Sequence, residues 1–74
     1  MLRLKDLRED KELLQKDIAK VLNITQTNYS KYELGKINIP NDALKQLALF
    51  YKTSVDYILG LTNEIKPYKR VKKH

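Results

Sequence analysis

The 74-residue chain contains no cysteine and no tryptophan, one histidine, two glycines and two prolines. Without cysteine there is no disulfide framework and no thiolate metal site, which suits a reducing compartment. The histidine is the terminal His74, so no metal site and no histidine base are expected. A Gly-rich phosphate loop and a nucleophile paired with a base are also missing, which argues against an enzyme and against a cofactor. No apolar run approaches the roughly 20 residues that span a bilayer. Met1 is followed by the charged, amphipathic Leu-Arg-Leu-Lys-Asp, unlike a signal peptide. The expectation is a cytoplasmic protein with no membrane partner.

A chain of this length makes one domain and buries only about 60% of its unfolded surface. The formal net charge is +6 with a pI near 9.6. A small basic domain suggests a polyanionic partner. The charge is uneven, however. Residues 62–74 carry Lys66, Lys69, Arg70, Lys72 and Lys73 against Glu64, while residues 1–61 hold ten basic and eight acidic side chains. Charge alone therefore marks a basic tail, and any claim on the body of the chain must rest on pattern.

The pattern is helical throughout, and the scarce glycines and prolines punctuate it. Leu4 and Leu7 give one side of a first helix over residues 3–11, whose other faces alternate charges. Ile18, Ala19 and Leu22 share a face of a second over 15–22. Asn23 tolerates a left-handed backbone and can stop that helix. Thr25 then offers a capping hydroxyl to a third helix over 26–34, which ends at Gly35. Its Tyr29 and Tyr32 share one face; opposite lie Gln26, Thr27, Asn28 and Lys31, which build no core and can all make hydrogen bonds. Pro40 keeps residues 36–40 in a loop. Asn41 is read as the cap of a fourth helix over 42–51, where Leu44, Leu47, Ala48 and Tyr51 keep the core spacing. Ser54 caps a short fifth helix over 55–59, ended by Gly60. Pro67 and the charge run make residues 62–74 a mobile basic tail.

Gln15, Ala19, Asn23 and Tyr29 stand zero, four, eight and fourteen residues into the central unit, which closes with Tyr-Glu-Leu-Gly at 32–35. Together with Leu7-Arg8, this resembles the helix-turn-helix of the Cro/repressor family (XRE-type, lambda-repressor-like) from about residue 4 to 61. The resemblance implies an all-α, compact five-helix domain over residues 1–61, followed by the tail. It implies a sequence-specific DNA-binding transcriptional regulator, more often a repressor, that reads double-stranded DNA at a palindromic operator as a homodimer.

Carried onto this chain, the resemblance places Gln15 on a phosphate beside the second helix's N-terminus, or leaves it a solvated amide. Thr25, Gln26, Thr27, Asn28 and Lys31 become the groove-facing set, with Lys36 and Asn38 on the DNA backbone or simply solvating the loop. Arg8 is expected to bridge to Glu33. Tyr57, Leu59 and Leu61 either form a dimer interface or close the monomer core. Two positions depart from the family pattern. Leu14 stands where a polar cap is usual, partly offset by Asp17 near the helix N-terminus. Tyr29 stands where Ile or Val is usual, so it either packs in the core with its hydroxyl reaching water or a partner, or its hydroxyl reaches the DNA backbone. A rival function on the same fold is the antitoxin of a toxin–antitoxin pair; another is nonspecific nucleic-acid binding through the tail.

Overall fold

The computed structural model describes residues 2–67; Met1 and residues 68–74, most of the expected basic tail, lie outside them. Among the described residues five helices follow one another: α1 Leu4–Asp10, α2 Gln15–Leu22, α3 Gln26–Glu33, α4 Asn41–Tyr51 and α5 Val55–Ile58. The described residues contain no strand. α2 packs against α3 and α4, and α4 against α5. One apolar cluster joins all five helices: Leu4 and Leu7 from α1, Ile18, Ala19 and Leu22 from α2, Tyr29 and Tyr32 from α3, Leu44, Leu47, Ala48 and Tyr51 from α4, and Ile58 from α5. The spacings of three and four residues therefore do form buried stripes.

Every helix stops in the same way. At Glu12, Asn23, Gly35, Lys52 and Gly60 the backbone turns left-handed, with φ of 57°, 56°, 73°, 55° and 79°. The next amide then reaches back five residues to a helix carbonyl: Leu13 to Arg8 (3.1 Å), Ile24 to Ala19 (3.0 Å), Lys36 to Lys31 (2.9 Å), Thr53 to Ala48 (2.9 Å) and Leu61 to Asp56 (2.8 Å). These are Schellman closures, which satisfy the last carbonyls and reverse the chain in minimal length. Asn23, Gly35 and Gly60 suit that backbone by residue type. Glu12 and Lys52 do not, and no pattern in the sequence marks them. In both cases the following residue is drawn inward: Leu13 packs against the core and Thr53 is buried.

The helix starts vary more. Thr25 Oγ1 accepts the Asn28 amide at 3.1 Å and Ser54 Oγ accepts the Tyr57 amide at 3.0 Å. Leu14 has no acceptor to offer; instead Asp17 Oδ2 takes the Leu14 amide at 2.8 Å, half of a capping box. Asn41 is not the cap of α4 but its first helical residue. Pro40, extended at φ −64° and ψ 152°, holds the cap position without a side-chain bond. The Leu44 amide reaches the Pro40 carbonyl at 3.0 Å, so the proline's fixed φ starts the helix one residue earlier than Asn41 alone suggests.

Arg3 is not simply a solvated charge. Its amide donates to the Ile58 carbonyl at 2.8 Å. Its guanidinium donates to the carbonyls of Tyr57 and Thr62 and to Asn63 Oδ1, and lies 4.2 Å from the centroid of the Tyr57 ring. Thr53 Oγ1 donates to the Ile65 carbonyl. Contacts with the helical body thus continue past residue 61.

A left-handed residue other than glycine or asparagine costs about 1–2 kcal/mol of backbone strain. Lys52→Gly should therefore stabilise the protein by about 1 kcal/mol, after glycine's own entropic cost, raising the thermal midpoint by roughly 4–8 °C in a calorimetric melt.

Candidate nucleic-acid interface

α3 is an unpromising helix by composition: Gln-Thr-Asn-Tyr-Ser-Lys-Tyr-Glu is rich in residues whose side chains compete with the backbone or lose rotamer freedom. It is held in place from inside. Tyr29 is fully buried and Tyr32 nearly so, and their rings meet edge to face, 6.4 Å apart at 88°. The opposite side faces solvent, with Gln26, Thr27, Asn28 and Lys31 exposed and Ser30 half-exposed.

At the inner end of α3 lies a polar cluster. Arg8 and Glu33 do meet, and in bidentate fashion: Nε to Oε2 at 2.7 Å and Nη2 to Oε1 at 3.1 Å. The Arg8 Nη1 donates to the Leu13 carbonyl at 2.9 Å. The two side chains are only 11% and 5% exposed. Gln15 Nε2 donates to Glu33 Oε1 at 3.1 Å, a partner that neither expectation for Gln15 named. One carboxylate thus ties α1, the α1–α2 turn and the start of α2 to the last turn of α3.

Burial by itself would push the Glu33 carboxyl up, but the Arg8 guanidinium outweighs it, with Tyr29 and Gln15 acting in the same sense, and holds it below the usual value. The hydrogen bond to Glu33 raises Arg8 above its already high value. The Tyr29 hydroxyl is buried beside the same carboxylate without a hydrogen bond of good geometry; its position is packing, not DNA backbone contact. Burial, reinforced by the Glu33 charge, pushes it well above the ordinary tyrosine value. Tyr51, also buried without a partner for its hydroxyl, is pushed up to about 12 by burial first and Glu33 second.

Just outside this cluster, a shallow depression brings together Gln15 of α2 and Gln26, Thr27 and Lys31 of α3, with Lys36 from the loop beyond. Ser30 and Leu34 complete it; neither was singled out in the sequence, although both follow from the i, i+4 and i, i+7 line through Gln26 and Thr27. Because Glu33 is consumed by Arg8, the charges this depression offers are those of Lys31 and Lys36. Three expected contacts stand apart from it. The Thr25 hydroxyl is occupied as the cap of α3. Asn28 is exposed on the flank of α3. Asn38 borders a second, more apolar hollow with Leu2, Ile37, Ile39, Leu44 and Leu59.

The three residues expected at a dimer interface are not equivalent. Leu61 is 72% exposed, Leu59 lies in the apolar hollow just named, and Tyr57 is covered by Arg3. Among the described residues no cluster of His, Cys, Asp or Glu could hold a metal ion, and no helix is long and apolar enough to cross a membrane.

Removing one partner of a nearly buried ion pair strands the other charge, at roughly 3 kcal/mol. Arg8→Met should lose about that much stability, and the double replacement of Arg8 and Glu33 by Met markedly less than the sum, in urea denaturation. The pH dependence has a definite sign. Glu33 is depressed in the folded state, so its contribution is complete above its unfolded value, about 4.3, and is lost as pH falls through the folded value. Tyr29 and Tyr51 are raised, so their contribution is complete below about 10 and is lost as pH rises further. The stability difference between the native protein and Glu33→Gln should hold constant from about pH 6 to 9 and shrink below about pH 4.

A helix-turn-helix family model matches residues 4–58. Over 65 residues the chain is 40% identical to the uncharacterized HTH-type transcriptional regulator YobD of Bacillus subtilis (strain 168), covering 88% of this chain and 58% of that protein. Over 58 residues it is 40% identical to the HTH-type transcriptional regulator ImmR of the same organism, covering 78% of this chain and 46% of that one. The chain therefore spans about half the length of these curated relatives. No solved structure gives a significant match. With that match running through all five helices, the protein belongs to the helix-turn-helix family, of the XRE type that its sequence resembles.

Proposed function

We propose that this protein is a sequence-specific DNA-binding transcriptional regulator that reads the major groove with α3. The observation that carries this is the split character of that helix: Tyr29 and Tyr32 are locked into the core, while Gln26, Thr27, Ser30 and Lys31 line one depression with Gln15 and Lys36. In this reading Gln26 pairs bidentately with adenine N6 and N7, and Thr27 offers a hydroxyl to a base edge or a methyl to thymine. Lys31 donates to guanine or to phosphate, and Asn28 to adenine or to phosphate. Gln15 keeps one amide hydrogen on Glu33 and has a second for a phosphate near the N-terminus of α2, which attracts anions. Lys36 and Asn38 reach toward the backbone from the loop. The names of the two relatives, both transcriptional regulators, support the same reading.

One α3 supplies few base contacts, so the protein acts as a homodimer on a palindromic operator in the bacterial cytoplasm, with half-sites about one turn, ~34 Å, apart. In this reading the second copy packs on exposed Leu61 and on the hollow that holds Leu59, with Ile37 and Leu2 at its border, and the regulator represses by occupying its operator.

The test is selection of bound duplexes from a random pool at moderate salt, using the full chain and one shortened after Pro67, which keeps the Arg3 and Thr53 contacts intact. Both should enrich the same palindrome. Enrichment of nothing, with binding that collapses as salt rises, would reduce the activity to phosphate attraction. Gln26→Ala should then relax preference at one base position per half-site, a loss of ~1–3 kcal/mol of discrimination, with the helical circular dichroism unchanged; an unaltered selected sequence would remove Gln26 from the reading set.

A further inference from the structure

Leu34 is the one large apolar side chain in the depression that otherwise consists of Gln15, Gln26, Thr27, Ser30, Lys31 and Lys36. It is 64% exposed. An isolated leucine on a surface needs no explanation; this one stands among side chains that all form hydrogen bonds, on the face assigned to DNA. Thr27 and Leu34 are seven residues apart, so they project from nearly the same side of the helix line, ~10 Å apart along its axis. Base edges in the major groove carry hydrogen-bonding groups and a single apolar one, the C5-methyl of thymine. An apolar side chain pressed against donors and acceptors would leave them unpaired, at a cost. Against a methyl it loses nothing and both surfaces leave water.

We propose that Leu34 is a specificity-determining residue that reads the C5-methyl of a pyrimidine, thymine in unmodified DNA, by apolar contact. This deepens the DNA-reading role above and rests on it. 5-Methylcytosine presents the same methyl, so a methylated site would satisfy the same contact.

The test uses the duplex recovered by selection, with each thymine replaced in turn by deoxyuridine, which removes only the methyl. The native chain should lose about four-fold in affinity at the Leu34 position, the worth of one buried methyl. Leu34→Ala should be indifferent to that replacement and respond normally elsewhere, while Thr27→Ser should lose sensitivity at a different position. If the position is occupied by cytosine, C5-methylation should strengthen binding by the native chain and not by Leu34→Ala, identifying 5-methylcytosine as the source. The proposal fails if Leu34→Ala keeps the native deoxyuridine profile, or if its only effect is on the oligomeric state. A native chain that selects no sequence would overturn the DNA-reading role itself, and this inference with it.

Discussion

The Glu33 carboxylate is the point on which the architecture turns. It sits in the last turn of α3 yet receives two bonds from Arg8 of α1 and one from Gln15 at the start of α2. Arg8 in turn holds the Leu13 carbonyl, in the turn between those helices. Three elements that the apolar core could let slide against one another are thereby fixed in register. A nearly buried ion pair adds little net stability against an apolar replacement. What it supplies is direction: hydrogen bonds have preferred angles where packing of leucines has none. Glu33 also leaves the outer surface without its charge. An exposed carboxylate at that point of α3 would face the phosphates that the proposed function requires the helix to approach.

The cluster shapes its surroundings as well. Tyr29 and Tyr51 bring hydroxyls into the same interior, neither with a hydrogen bond of good geometry, and the buried carboxylate makes their ionisation harder still. An Ile or Val at position 29 would avoid that polar burden. Tyr29 instead contributes a ring large enough to engage Tyr32 edge to face, an arrangement worth about 0.5–1.5 kcal/mol beyond its buried area. The aromatic pair gives the short α3 a wide inner face in only eight residues.

Much of this was legible in the sequence because particular residue types leave few options. Thr25 after a left-handed Asn23 defines a turn between two helices, and the structure places both residues so. The spacing of Leu44, Leu47, Ala48 and Tyr51 made a buried stripe unavoidable. Glu12 and Lys52 were not legible, since nothing in a glutamate or a lysine favours a left-handed backbone; what accompanies it is the inward turn of the next residue, Leu13 packed against the core or Thr53 buried, a property of the assembled chain. Nothing in the sequence distinguishes Arg3 from the other charges at the start of the chain. Only the folded chain brings the Tyr57 ring and the carbonyls of Tyr57 and Thr62 around it. Gln15 was legible as a polar residue at a helix start, but its bond to Glu33 spans eighteen positions and has no local signature. At each of these positions a tertiary contact chooses a conformation that residue type does not.

The division of labour within α3 follows from these constraints. An eight-residue helix of this composition would not form alone in water, where helices shorter than ~12–15 residues are marginal. Its helicity is supplied by the Thr25 cap, by two buried tyrosines, by the Glu33 cluster and by the closure at Gly35. Every one of those supports lies on the inner face or at an end. Gln26, Thr27, Asn28, Lys31 and Leu34 contribute none of them and are exposed. Substitution among these five therefore changes the chemistry presented to a partner with little effect on whether the helix exists. Two chains with this fold and the same inner face can differ completely in what they recognise, so the identity of the outer residues, rather than the fold, carries the information about the target.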